Sequence, residues 1–289
     1  MSNDHHGVRL GVYEKALPSD IDWPARLTLA RRIGFDYLEL SIDESEARLA
    51  RLAPSSSERR SIRRAVEATG VPVLSLCLSA HRRDALGSAS SETRARAYDL
   101  FEAAVDLAGE IGARIVQVAG YYVFYEDETP ASRERYLEGL ERCARYAARE
   151  GMMLGIENMD TVGIASLEEG LAVLERVGSP WLQLYPDVGN LIERGRDPLR
   201  ELDLARGRMV ALHVKDTRPG EPRRVPYGEG QVPFVAAFER LAAADYAGPV
   251  LIEMWNDDAP DSVERLAQAR AWVVERMVEG GLAIEGGEA

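Results

Sequence analysis

MMLGIENMDTVGIASLEEGLAVLERVGSPWLQLYPDVGN (152–190) decides the fold. MMLGIE (152–157) is a short apolar run of strand length. SLEEGLAVLERV (166–177) is amphipathic and of helix length, and Ser166 followed by Glu169 has the spacing of a capping box. WLQLY (181–185) is a second short apolar run. Strand, helix, strand at this spacing predicts two parallel strands joined by a crossover helix.

The same unit recurs along the chain. Strand-like runs fall at 8–13, 36–41, 72–79, 114–119, 152–157, 181–185, 209–214 and 249–254. Helix-like runs fall at 23–34, 57–69, 90–111, 130–150, 166–177, 198–205, 233–243 and 260–279. Gly34, Gly70, Gly112 and Gly151 each follow a helical run, where a C-terminal cap favours positive φ. Eight such units predict a single α/β domain over 1–289, a (β/α)8 TIM barrel, with 1–7 and 280–289 as tails, the second mobile. An open doubly wound sheet is the alternative, but GVYEKALP after the first strand contains no glycine-rich phosphate loop.

The chain has 289 residues, 35 Lys+Arg and 48 Asp+Glu, a net charge of −13, which disfavours a nucleic-acid partner. No apolar run approaches the ~18 residues of a membrane span, and MSNDHHGVRLG lacks the apolar core of a secretion signal. Cys77 and Cys143 stand in different predicted elements, which suits reduced thiols in the cytoplasm. Of the 35 basic residues 33 are Arg, so the two lysines, Lys15 and Lys215, stand out.

A parallel barrel carries its chemistry at the C-terminal ends of its strands. Those ends bring Glu157, Asp187, His213 and Glu253 to one rim from strands five to eight. Three carboxylates and an imidazole suit a divalent metal ion, with Mn, Co, Zn and Mg all compatible. Such an ion polarises a ketone and stabilises an enediolate, while carboxylates on opposite faces remove and return the α-proton. Glu157 and Glu253 are the candidate catalytic pair, and either epimerisation or aldose–ketose isomerisation would follow. Taken singly, each residue has a structural explanation: a solvated rim charge, a turn aspartate, a core histidine. Lys15, His81, Arg82, Arg83, Lys215 and Arg218 fall in loops at the same rim and are candidates for a substrate phosphate. Gly228 and Gly230 could bring backbone N–H groups to an anion.

YEKALP (13–18), CLSAHRR (77–83), QLYPDVGN (183–190), HVKDT (213–217), PYGEG (226–230) and LIEMW (251–255) resemble the L-ribulose-5-phosphate 3-epimerases. These are also described as L-xylulose-5-phosphate 3-epimerases, of the xylose isomerase-like barrel superfamily. The resemblance runs from about residue 8 to about residue 279. It implies a metal-dependent barrel that interconverts L-ribulose 5-phosphate and L-xylulose 5-phosphate in L-ascorbate and pentose catabolism. It implies Glu157, Asp187, His213 and Glu253 as metal ligands and the two glutamates as the acid/base pair, and it adds Asn190 to the substrate-binding candidates. Asp84-Ala85, Asn158 and the loop YYVFYEDET (121–129) depart from the family pattern and bear on selectivity, so a free ketose stays open as the substrate. The expected partner is a small ketose or ketose phosphate, and an apolar face on the helical ring would permit a homodimer. An abasic-site endonuclease would need a histidine-rich multi-metal cluster. Outside His5 and His6 in the tail, only His81 and His213 remain. A non-catalytic sugar-binding barrel would have lost a ligand position, and all four are intact.

Overall fold

The computed structural model describes residues 7–53 and 55–285. His5, His6 and residues 286–289 of the expected tails lie outside them. The strands are β1 Leu10–Tyr13, β2 Tyr37–Ile42, β3 Val73–Leu78, β4 Ile115–Ala119, β5 Met153–Glu157, β6 Leu182–Leu184, β7 Leu212–Val214 and β8 Val250–Ile252. The helices are α1 Trp23–Ile33, α2 Glu46–Leu49, α3 Ser56–Thr69, α4 Ser91–Ile111, α5 Pro130–Arg149, α6 Leu167–Val177, α7 Val188–Glu193, α8 Pro198–Leu204, α9 Phe234–Ala243 and α10 Ser262–Glu279. The short α2 and α7 were not expected from the sequence. Each fills part of a loop at the C-terminal rim.

All eight strands are parallel, in the order β6-β5-β4-β3-β2-β1-β8-β7. The two ends of that row meet. Leu184 N donates to Arg208 O, Val210 N to Leu184 O and His213 N to Pro186 O, each at 2.8 Å. The sheet is therefore a closed barrel.

Alternation along each strand divides the buried residues into two sets. In β2, Leu38, Leu40 and Ile42 join the apolar layer between sheet and helices. Tyr37 and Glu39 turn into the barrel and are fully buried. Tyr37 fills the barrel where β1 has Gly11, since a Cβ there would lie 2.2 Å from Tyr37 Cζ. That apolar filling gives way to polar side chains towards the C-terminal rim.

The expected helix ends hold. Gly34, Gly70, Gly112 and Gly151 all adopt positive φ. Ser166 Oγ accepts from Glu169 N at 3.1 Å, but the Glu169 carboxylate accepts from Ala165 N at 2.8 Å, one residue before the cap. The segment expected as a mobile tail is packed as far as it is described. Leu282 is buried, Val8 N donates to Ala283 O at 2.8 Å and Glu285 N to Val8 O at 2.9 Å. Cys77 and Cys143 are free and buried. Among the described residues, no helix is long and apolar enough to cross a membrane.

Candidate metal centre and active site

Each strand from β5 to β8 delivers one side chain to the rim. Glu157 ends β5, and Glu253 follows β8 directly. His213 is the middle residue of β7. Asp187 caps α7, accepting Asn190 N at 2.9 Å through Oδ1. One ligand atom from each of the four lies within 4.8 Å of all the others, and all four residues are buried. Asp187 Oδ2 has no hydrogen-bond partner. A buried carboxylate oxygen that makes no hydrogen bond, beside two glutamates and an imidazole, belongs to a donor set that fits a divalent cation.

Behind His213 stands a layer the sequence did not single out. His213 Nε2 lies 2.9 Å from Glu39 Oε1, and its Nδ1 lies 3.2 Å from Glu157 Oε1. Glu39 Oε2 accepts from Ser75 Oγ at 2.7 Å and from the Tyr185 hydroxyl at 2.8 Å. Gln117 Nε2 donates to Glu157 Oε2. Histidines that bind metal usually have such a partner on the other ring nitrogen, which fixes tautomer and ring orientation.

Charge balance in this buried site falls to Lys215. Its ammonium lies 3.0 Å from Asp187 Oδ2, outside hydrogen-bond geometry, and 2.9 Å from Glu253 Oε2. Burial would drive the proton off Lys215, but Asp187 and Glu253 outweigh it and hold the pKa well above the ordinary lysine value. Burial alone would raise Glu253; Lys215 overcomes it and lowers the carboxyl to about 2. Asp187 goes the other way, pushed up to about 7 by burial. Burial likewise raises Glu157. Burial opposes charge on His213, yet Glu39 and Glu157 on its two nitrogens hold its pKa well above the usual imidazole value.

The cluster opens into a pocket that Glu157 and Glu253 line together with Lys15, Arg82, Asn190 and Lys215. The structure thus brings four of the seven phosphate or substrate candidates to the pocket, though Lys215 is there as counter-ion to carboxylates rather than as a free anion binder, and Arg83 pairs with Glu46 at 2.8 Å instead. His81 is a correction. A 3-10 turn over Ser79–Arg82 rotates its ring outward, where Nε2 meets Ala97 O at 3.1 Å and the ring stacks on Phe101. Burial pushes its pKa down to about 4, so it carries no charge for a phosphate at neutral pH. Arg218 is another, since its guanidinium binds Glu229 O at 2.8 Å and Glu229 Oε2 at 3.1 Å, outside the pocket. The loop glycines do cradle an anion, but it is the protein's own. Gly228 N and Gly230 N both donate to Asp216 Oδ2 at 2.8 Å. Arg223, which the sequence did not single out, enters the pocket and donates to Asp160 Oδ2 at 2.8 Å.

A closed parallel barrel with a carboxylate–histidine cluster at its C-terminal rim defines a class of sugar-converting enzymes, and comparison bears this out. The family model described as xylose isomerase-like TIM barrel matches residues 27–276. The chain is 42% identical over 275 residues to L-ribulose-5-phosphate 3-epimerase UlaE of Escherichia coli strain SMS-3-5, covering 95% of this chain and 97% of that one. It is 44% identical over 279 residues to the SgbU protein of Escherichia coli strain K12, covering 94% and 98%. The solved structure of an L-ribulose 3-epimerase superposes with a TM-score of 0.78 at 20% identity, covering 95% of this chain and 96% of that one. A D-allulose 3-epimerase from Methylomonas sp., in complex with D-allulose, superposes with a TM-score of 0.79 at 20% identity, covering 94% and 98%. At that identity these two show the fold alone. The chain belongs to the xylose isomerase-like TIM barrel family and, within it, to the L-ribulose-5-phosphate 3-epimerases.

Proposed function

We propose that this chain interconverts L-ribulose 5-phosphate and L-xylulose 5-phosphate by inverting C3. The observation that carries this is the cluster itself: Glu157, Asp187, His213 and Glu253 converge within 4.8 Å at the base of a pocket walled by both glutamates. The 42% identity to an L-ribulose-5-phosphate 3-epimerase supports the substrate.

Asp187, His213 and the two glutamates would hold Mn, Co, Zn or Mg. When bound there, such an ion would supply Lewis acidity to the ketone oxygen and to the charge that develops as C3 loses its proton. One glutamate takes that proton from one face of the sugar and the other returns a proton to the opposite face. Each positioned group contributes roughly 10²–10⁴-fold. Glu39 holds a proton on His213 Nε2 and leaves Nδ1 to face the cluster. Lys15, Arg82 and Asn190 line the sugar's path from the rim. Two buried free thiols are compatible with a cytoplasmic enzyme.

The test is NMR in ²H₂O with each ketose phosphate, before and after chelation, with Mn²⁺ quenched and removed before spectra are recorded. Solvent deuterium at C3, appearing with the 3-epimer and abolished by chelation, is the expected result. Deuterium at C1 with an aldose product would instead make the chain an isomerase. Exchange only with the free ketoses would remove the phosphate from the substrate.

A further inference from the structure

Asn158, Asp187 and Asn190 hold one another in a closed ring. The Asn158 amide spans the backbone of Asp187: Asp187 N donates to Oδ1 at 2.8 Å, and Nδ2 donates to Asp187 O at 3.0 Å. The Asp187 carboxylate in turn accepts Asn190 N at 2.9 Å through Oδ1. Asn190 Nδ2 closes the ring by donating to Asn158 O at 2.8 Å. Each side chain thus holds the backbone of the next residue in the ring. Resting on the metal-dependent epimerase reading, we propose that Asn158 is a positioning residue of the metal centre, which acts through this ring to fix the Asp187 carboxylate against Glu157.

The end of the β5–β6 ladder shows why a side chain is needed there. β5 ends at Glu157 and β6 at Leu184. Tyr185 N still donates to Ile156 O at 2.8 Å, but Pro186 has no N–H to continue the ladder. Asp187 therefore stands three residues past its strand. Asn158 offers it the acceptor and the donor that a neighbouring strand would have offered. One orientation of the amide satisfies both contacts, with its carbonyl towards Asp187 N and its NH₂ towards Asp187 O.

Burial makes these bonds matter. Asn158 is 2% exposed, Asp187 0% and Asn190 1%. Backbone groups in such a place have no ready solvent partner, and losing the side chain would leave them unsatisfied.

The ring also decides which atoms stay available. Asp187 Oδ1 is taken by Asn190 N, while Asp187 Oδ2 and Asn190 Oδ1 are buried and make no hydrogen bond. With its backbone and one oxygen pinned, the Asp187 carboxylate has one orientation, which turns Oδ2 towards the cluster. Asn158 is itself well anchored, because its two neighbours are tied to other loops. Gly120 N donates to Glu157 O at 3.1 Å, and Met159 N donates to Ile164 O at 2.7 Å. Asn158 directly follows Glu157, so its amide sets the spacing between the β5 ligand and the ligand that follows β6. Four ligand atoms within 4.8 Å of one another tolerate little slack in that spacing.

The experiment measures Mn²⁺ affinity by competition with a chromophoric chelator, with no sugar present, together with urea midpoints of the metal-free proteins. Wild type, Asn158→Leu, Asn158→Ser and Leu282→Ala are compared. Asn158→Leu keeps the shape and loses both bonds, and it should weaken Mn²⁺ about 10–100-fold. Asn158→Ser leaves room for water beside the same backbone groups, which keeps the test open if the leucine variant does not fold, and it should weaken Mn²⁺ about ten-fold. Leu282→Ala removes buried surface at the opposite end of the barrel. It should lower the urea midpoint yet leave Mn²⁺ affinity within about two-fold of wild type. Unchanged affinity in the Asn158 variants overturns the proposal. So does an equal loss of affinity in Leu282→Ala, which would make the effect one of general stability. Failure of the epimerase reading shows separately, as no C3 exchange in wild type with either ketose phosphate, while a Mn²⁺ affinity that still responds to Asn158 supports the positioning role.

Discussion

Glu39 Oε1 stands 2.9 Å from His213 Nε2, from β2 to β7, with β1 and β8 between them in the sheet. Glu39 is itself held by the Ser75 and Tyr185 hydroxyls, so the imidazole has one orientation. Outer partners of this kind typically govern metal affinity by about 10–100-fold. Glu39→Gln should therefore bind Mn²⁺ about 10–100-fold more weakly, with a preserved fold and activity recovered at high metal. Competition with a chromophoric chelator measures this, and an unchanged affinity would refute the role.

The paired glutamates make a sharper claim. Glu157→Gln and Glu253→Gln keep shape but remove the proton acceptor, so each should cut C3 exchange by at least about 10²-fold. Metal content must be measured alongside. A variant that loses exchange while still binding metal separates proton transfer from metal binding; retention of wild-type exchange in either would exclude that residue as acid or base.

Much of this site is legible because a parallel strand buried on both faces is a plain apolar run, and its last polar residue marks the rim. Glu157, His213 and Glu253 stand out in that way, and Asp187 by its place after WLQLYP. Glu39 and Gln117 also stand near strand ends, but their partners are 174 and 40 residues away, and no local pattern announces a pairing across the barrel. His81 misled for a local reason: one 3-10 turn after β3 aims it at α4 instead of the pocket. Between Arg218 and Arg223, five residues apart in one loop, the choice is made by Glu229 and Asp160. Neither partner can be assigned without the loop's path.

Asp43 gives a pH-dependent test. Burial alone would raise its pKa, but the Lys15 ammonium at 2.6 Å, with the Ser45 hydroxyl at 2.6 Å and amide at 2.9 Å, lowers it to about 2. Unfolded, an aspartate titrates near about 3.9. A pKa depressed on folding stabilises the protein above the unfolded value, and the gain is lost as pH falls through the folded value. The stability lead of wild type over Asp43→Asn should be full above about pH 4 and close towards about pH 2. Urea midpoints of both proteins, with chelator present throughout, measure it; a lead constant across that window would deny the pairing.

Leu282 tests the end of the chain. A mobile tail would tolerate any substitution there, whereas Leu282 is buried and belongs to the main apolar core, beside the backbone bonds between Val8 and residues 283 and 285. Removing a buried leucine side chain costs about 2–5 kcal/mol, through lost transfer energy and the cavity left behind. Leu282→Ala should lower the urea midpoint accordingly, while Glu279→Ala, at the end of α10 with its side chain 54% exposed, should change stability by no more than about 0.5 kcal/mol. Equal midpoints for the two variants would return this segment to the status of a tail. A large loss confined to Leu282→Ala would show that residues past α10 help close the N-terminal end of the barrel, opposite the rim where the chemistry lies.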